Sequence, residues 1–268
     1  MTIIDLAYRD LAMAGALVLL LAAISLRMRL GISGKIIIAA LRTAIQLYLV
    51  GLVLKVIFTT TSLLWIAAIG GVMLLVAARE VAGRQHRRFT GIWSYGVSGT
   101  SMTISAVTLA VFALHVVIRP APWYTPQYAI PLLGMLLGNT MTGVAIGLDR
   151  LTSMCWQLQD TIENRLMLGQ TWQMAVSDIR RESVRSGLIP IINAMSVAGL
   201  VSLPGMMTGQ ILAGNPPQVA VKYQILIMFL IAAGTGFGTL SAVWLGSRRL
   251  FDHRHRLRLD RLRPPTDG

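Results

Sequence analysis

The sequence predicts an all-α, polytopic integral membrane protein of about seven transmembrane helices, and three observations carry that prediction. Apolar residues make up 54% of the chain against 13% charged, with a mean hydropathy of +0.65. The apolar residues fall into blocks near the ~20 residues that a ~30 Å hydrocarbon layer demands of a helix. Lys and Arg alternate between rich and poor connections, as they do when loops face the two sides of a membrane in turn.

The blocks run at about Leu11–Leu26, Ile36–Phe58, Leu63–Ala78, Ile92–Ile118, Tyr128–Leu148, Leu188–Leu203 extended to Ala213, and Val219–Gly246. The first is preceded by Asp5, Arg9 and Asp10 rather than a basic stretch, and no small-residue cleavage site follows Leu26. It reads as a retained helix and not as a signal peptide. Cys155 is the one cysteine, so no disulfide forms within the chain.

A net charge of +13 raises the possibility of a nucleic-acid partner, but its placement argues for a membrane. Arg27, Arg29 and Lys35 lie between blocks one and two; Arg79, Arg84, Arg87 and Arg88 between three and four. Arg150, Arg165, Arg180, Arg181 and Arg185 lie between five and six, and seven arginines from Arg248 to Arg263 follow block seven. The alternate connections carry only Arg9, Lys55, Arg119 and Lys222. Cytoplasmic loops collect Lys and Arg, which places the amino terminus outside and the carboxyl terminus inside. The chain reads as one transmembrane domain over 1–268, with a cytoplasmic insert at 149–186 and a basic tail at 247–268.

The tail His253–Arg263 reads as a juxtamembrane anchor on anionic lipid. No aromatic residues are interleaved for base stacking, so the reading excludes a nucleic-acid partner. His253 and His255 have no Cys or third His nearby to complete a metal site.

The insert carries helical periodicity. Leu158, Ile162 and Leu166 share one face, with Gln159, Asp160, Glu163 and Asn164 elsewhere around it. Leu168-Gly169 supplies a stop, and Thr171 is placed to cap a second helix through Trp172, Val176 and Ile179. Periodicity alone fits equally a docking element and a surface-lying connector without a partner.

The interval from Glu163 to Gly169, with Ile179 ten residues on, resembles the Glu-Ala-Ala…Gly coupling loop of ATP-binding-cassette permeases. Asn164 and Arg165 stand where that loop has two alanines, and Arg181-Glu182 where it has Leu-Pro. Further on, Gly199-Leu-Val-Ser-Leu-Pro-Gly-Met-Met-Thr-Gly-Gln-Ile-Leu-Ala-Gly214 and Ala220-Val-Lys-Tyr-Gln-Ile225 resemble the signature region of the FetB/YbbM-type permeases. Their plant relatives are the STAR and ALS type aluminium-tolerance permeases. Arg42-Thr-Ala-Ile-Gln-Leu-Tyr-Leu-Val-Gly51 and Ile130-Pro-Leu-Leu-Gly-Met-Leu-Leu-Gly-Asn139 resemble two further motifs of that family.

The resemblance implies a permease subunit of the inner membrane working as a homodimer with two cytoplasmic ATPase subunits, which bind ATP and Mg. In bacterial members it implies iron efflux; plant relatives are linked to a nucleotide sugar, so the cargo stays open. Glu163, Arg165, Leu168, Gly169 and Ile179 become the ATPase-coupling residues. The chain binds no cofactor of its own on this reading, and is not an enzyme. No Gly-x4-Gly-Lys-Ser/Thr loop occurs, Gly31-Ile-Ser-Gly-Lys35 being too short, and no Gly-x-Ser-x-Gly or His-Glu-x-x-His motif is present.

Residues that could line a route lie within the blocks. Arg42 sits about 9 Å into block two with Gln46 one turn on, and a membrane arginine marks either a functional site or a snorkelling side chain. Asn139 accompanies Gly134, Gly138, Gly143 and Gly147, whose spacing suggests close helix contact with Asn139 as interhelical glue. Asn193 and Ser196 offer polar lining. The Pro204–Gly209 stretch predicts a break in block six where carbonyls are freed, with Pro204, Gly205 and Gly209 as hinge. Met206 and Met207 beside it are either soft metal ligands or packing. An ATP-independent carrier or channel is the alternative class; it would need mid-membrane ionisable groups, for which only Arg42 and His115 qualify.

Overall fold

A backbone in hydrocarbon has no water to bond, so a spanning segment must satisfy its own N–H and C=O groups as a helix. The computed structural model follows that rule. It describes residues 7–57 and 62–263, apart from the side chains of Lys55 and Val56. Asp5, Phe58 and the tail residues 264–268 lie outside the described residues, as does the Lys55 side chain.

Every named element is helical: α1 (Tyr8–Arg27), α2 (Ser33–Ile57), α3 (Leu63–Gly83), α4 (Trp93–Met102), α5 (Thr108–Phe112), α6 (Pro126–Gln157), α7 (Gln159–Met167), α8 (Trp172–Ala175), α9 (Ser177–Val197), α10 (Gly205–Leu212) and α11 (Pro217–Leu250), with a 3-10 turn at Leu259–Arg261. The stretches Thr103–Val107 and Ala113–Ile118 are π-helical, so Trp93–Ile118 forms one continuous spanning rod.

Among the described residues, six helices are long and apolar enough to cross a membrane: Tyr8–Arg27, Ser33–Leu54, Leu63–Gly83, Trp93–Ile118, Pro126–Gln157 and Pro217–Leu250. They correspond to six of the seven predicted blocks. The remaining block, Leu188–Ala213, is not one continuous helix. α9 stops at Val197, and the backbone leaves the helix until α10 begins at Gly205.

The break lies earlier than the proline suggests. Gly199 adopts φ +83, a conformation that costs a residue with Cβ about 1–2 kcal/mol. The amides of Leu200, Val201 and Ser202 all converge on the carbonyl of Val197, closing a tight turn. Pro204 then stands just before α10, a place where its missing donor costs nothing, and Gly205 and Gly209 are helical. Pro131 and Pro190, by contrast, sit inside α6 and α9 without ending them.

The chain forms two compact units. The first comprises α1 and α2 with Leu212–Gly214; the second comprises Ser62–Ile211 and Asn215–Gly268. In the first, α1 and α2 are joined by a turn in which Arg29 and Gly31 both take positive φ.

In the second unit α6, α9 and α11 meet along a seam of small residues. A Cβ on Gly143 would stand 2.5 Å from Thr235 and 3.0 Å from the Gly187 carbonyl, and one on Gly147 would stand 2.8 Å from Thr239. Reciprocally, a Cβ on Gly238 would lie 2.5 Å from Thr140. Thr140, Thr235 and Thr239 are buried, each filling the place that a glycine on the facing helix leaves open. Because Gly143 faces Thr235 while Leu148 faces Gly246, α6 and α11 run parallel; Gly187 against Gly143 and Ser183 against Gly147 make α9 antiparallel to both. The glycine spacing in block five thus marks helix contact at Gly143 and Gly147. At Gly138 it does not, since a Cβ there would meet nothing within 4 Å.

Overpacking this seam has a measurable outcome. Gly143→Leu or Gly238→Val should lower stability by about 1–3 kcal/mol, read as an earlier thermal unfolding transition in detergent, whereas Gly138→Ala should leave the transition in place. Equal transitions for all three variants would contradict the interlock.

Candidate coupling site and membrane path

α6 is 32 residues long, about 48 Å at 1.5 Å per residue, against a ~30 Å hydrocarbon layer. Its apolar run ends at Leu148, and Asp149 to Gln157 carry it about 13 Å further. α7, α8 and the start of α9 sit at that end. The same end holds the α3–α4 loop, where the His86 amide donates to Asp149 Oδ1 at 2.7 Å, and the carboxyl end of α11, where Gly246 packs against Leu148 and Leu151. The three most basic connections of the second unit are thereby gathered together.

The insert has an apolar underside and a polar frame. Ile162 and Ile179 are buried, 1% and 3% exposed, and fasten α7 and α9 to the bundle. Gly169 takes φ +85, and the Gly169 and Gln170 amides donate to the carbonyls of Leu166 and Arg165 as the chain turns out of α7. Arg165 staples the turn shut: Nη1 donates to the Ala175 carbonyl at 3.0 Å and Nη2 reaches Asp178 Oδ2 at 3.2 Å. Arg165 and Ile179 also line one small cavity with Thr161, Glu182 and Arg185. The second predicted helix of the insert is only the four-residue α8. Thr171 stands at its amino end without a side-chain cap, and the chain re-enters a helix at Ser177 that runs on as α9.

At the tip of this frame the apolar residues face outward. Met167 is 78% exposed and Leu168 83%. Both stand free where the chain leaves the otherwise polar α7.

The basic tail is folded, a feature that its composition did not signal. Phe251 pairs with Leu257 and Leu262 with Phe89 as antiparallel bridges. The Thr90 amide donates to the Arg261 carbonyl, and the Arg263 amide to that of Arg88. Arg261 Nη1 donates to the Arg249 carbonyl at 2.7 Å and to that of Phe251 at 3.3 Å, closing the carboxyl end of α11. Phe251 stacks on Trp172 with ring centres 5.6 Å apart, and the Trp172 amide donates to His255 Nδ1 at 3.4 Å. The tail therefore braces the insert. The legible signal was Phe251, Leu257, Leu259 and Leu262 spaced among the arginines.

Asp252 holds the hairpin by accepting from the Arg256 and Arg254 amides, both at 2.9 Å. Those bonds, the Arg256 one first, keep its carboxyl below the usual carboxylate range. A depressed carboxyl contributes stability above its unfolded value near pH 4 and loses it as pH falls through the lower folded value.

The predicted path residues are more dispersed. Arg42 and Gln46 lie one turn apart on α2 in the first unit. Asn139 is exposed, and its Nδ2 donates to the Met135 carbonyl of its own helix at 2.8 Å, so the observed bond is not interhelical. Asn193 and Ser196 are exposed on α9, and Ser196 bonds back to the Ile192 carbonyl. Met206 packs on the core of the second unit, and Met207 is half-buried beside it. Among the described residues no three His, Cys, Asp or Glu side chains gather to hold a metal ion.

Comparison with known proteins decides the family. The profile of the uncharacterised protein family UPF0014 matches residues 8–251. The chain belongs to UPF0014. This UPF0014 chain is 40% identical over 230 residues to the UPF0014 membrane protein slr1647 of Synechocystis, covering 85% of the chain and 87% of the relative. It is 34% identical over 256 residues to the probable iron export permease protein FetB of Escherichia coli, 95% and 96% of the two chains. To the UPF0014 membrane protein STAR2 of rice it is 32% identical over 232 residues, 87% and 79%. No solved structure matches the chain. With this family and six apolar helices, it is a multi-pass membrane protein.

Two substitutions test the insert's geometry. Gly169→Ala should cost about 1–2 kcal/mol at a φ that only glycine adopts freely, and Arg165→Ala should free the α7–α8 turn. Limited proteolysis should then cut both variants between 158 and 178 faster than the parent chain; unchanged cutting would refute the staple.

Proposed function

We propose that this chain is the permease subunit of an ATP-binding-cassette exporter of the inner membrane, driven by a separate cytoplasmic ATPase, with iron as cargo. The observation that carries the reading is the insert. An exposed Met167–Leu168 tip stands on a frame fastened to the ends of α6 and α9, at the end of the second unit where the arginines collect. A partner pressing on that tip moves two helices at once. The iron assignment draws on the printed name of the FetB relative, aligned over 95% of this chain.

The concentration of Arg and Lys supports a cytoplasmic placement of the insert and tail, hence N-out and C-in. With α9 and α10 counted together as a broken span, the chain crosses seven times. Glu163, Arg165, Leu168, Gly169 and Ile179 form the coupling element, the first and third toward the ATPase and the others holding the turn. Two copies form the transporter with two ATPases, in which ATP and Mg are bound. The stretch between α9 and α10 gives alternating access its joint: the turn at Gly199 lets the outer half-helix, which restarts after Pro204 and holds Gly205 and Gly209, move apart from the inner one. In the second unit Asn139 and Asn193 contribute polar lining and Met206 and Met207 soft contacts for the metal; Arg42 and Gln46 are the corresponding polar residues of the first unit.

A second reading keeps the machine and changes the cargo. The rice relative carries no iron in its name, and no His, Cys, Asp or Glu cluster among the described residues favours a hard cation.

Cells lacking the gene should accumulate iron relative to the parent, measured alongside zinc, manganese and copper. Unchanged iron with a change in another metal transfers the assignment to that metal. In a purified complex, Leu168→Asp and Glu163→Lys with Gly169→Pro should abolish substrate-stimulated ATP hydrolysis; full stimulation would sink the coupling role.

A further inference from the structure

We propose that the groove between the insert and the folded tail is a second docking surface for the ATP-binding subunit, and that it receives an acidic side chain of that subunit. The proposal rests on the coupling role given to the insert above. The groove encloses about 720 Å³ and is lined on one wall by Glu163, Gln170 and Thr171, on the other by Arg254, His255 and Arg256. It opens beside the exposed Met167 and Leu168.

Its charge is unbalanced. Glu163 is the one carboxylate among the lining residues, against two guanidinium groups. Asp252, the next carboxylate along the tail, is turned onto the Arg254 and Arg256 amides. The His255 ring accepts from the Trp172 amide. Three other arginines of α6, the insert and the tail are paired: Arg165 with Asp178, Arg150 with Glu182, and Arg258 with both oxygens of Asp260 at 2.9 Å. Arg254 and Arg256 are exposed, and among the described residues no ion pair joins either to a carboxylate.

A planar guanidinium offers a carboxylate two parallel N–H donors, and two such forks beside an apolar tip make an anion seat next to a hydrophobic anchor. Such a combination fits a protein partner. An anionic headgroup is the other chemistry that two arginines attract, but its field fades within the ~8–10 Å Debye length. A headgroup would engage the two arginines alone, whereas the apolar Met167–Leu168 tip beside them gives a protein partner a second anchor. The Phe251–Trp172 stack keeps the tail on the insert.

The test uses the full chain in nanodiscs of neutral lipid, with and without anionic lipid, and the purified ATP-binding subunit in solution. The Arg254→Gln/Arg256→Gln pair should weaken binding on the order of tenfold, while Arg9→Gln leaves it unchanged. Binding by the parent chain should fall steeply as salt rises from about 0.05 to 0.5 M, and more gently for the pair. The salt series on the parent keeps the proposal testable if the pair fails a thermal-unfolding check for folding. Salt-insensitive binding by the parent, or equal binding by parent and pair, overturns the groove as a dock. So does a pair that loses only its response to anionic lipid. Loss on Leu168→Asp without loss on the arginine pair would keep the coupling role and discard the groove, whereas no binding by the parent would discard both.

Discussion

The close approach of α6, α9 and α11 is the constraint on which the rest of the second unit depends. In lipid, helix association gains nothing from expelling water, so it rests on packing and on how near the backbones can come. Gly143, Gly147, Gly187 and Gly238 remove the Cβ atoms at the crossings, and Thr140, Thr235 and Thr239 fill the spaces from the facing helices. The arrangement works in both directions: α6 offers glycine to α11 at Gly143 and threonine at Thr140. A helix pair engaged reciprocally resists sliding as well as separation, because each threonine sits between turns of its neighbour. α6 and α11 therefore act as one parallel post.

What the post carries follows from its direction. Parallel helices end on the same side, so the carboxyl end of α6, which leads into the insert, lies beside the carboxyl end of α11, which leads into the tail. The tail can then reach Trp172 with Phe251 while Leu262 reaches Phe89. The α3–α4 loop, the insert and the tail form one braced layer, fastened to the ends of α6 and α9. α9 is the member able to yield, because its helical bonds stop at Val197 and resume only at Gly205. Non-helical backbone at membrane depth is tolerated where protein or an aqueous cavity meets it. Leu200 and Val201 in this stretch are 90% and 84% exposed on this chain.

Much of this was legible beforehand, for physical reasons that differ by element. Six spans could be read because hydrocarbon thickness sets a helix length, and α2, α3 and α11 begin within about three residues of their apolar blocks. The turn at Gly169 was legible because an αL position after an amphipathic helix selects glycine. The α9–α10 break was misplaced, since proline is a conspicuous signal and Gly199 is not, yet glycine makes the turn and the proline merely restarts the helix. Block five showed its small-residue spacing, but not which members make contact. Gly143 and Gly138 look alike in sequence and differ only in what faces them, and the matching threonines lie about ninety residues away.

The tail is the instructive failure, because its arginines dominated the composition while its four apolar residues decided the structure. A charge run reads as a solvated or lipid-bound segment when each residue is counted alone. Phe251, Leu257, Leu259 and Leu262 recur within a dozen residues, enough to bury one side of a short strap, with Phe251 stacked on Trp172 and Leu262 paired with the buried Phe89. Once that side is down, the arginines divide by position. Arg261 turns inward to free carbonyls, Arg258 closes on Asp260, and Arg254 and Arg256 are left on the outer rim. Folding thus sorts a uniform run of cations into structural and available ones. The available pair stands beside the apolar tip of the insert, which the sequence read as a docking element from its Glu163 and Gly169 spacing.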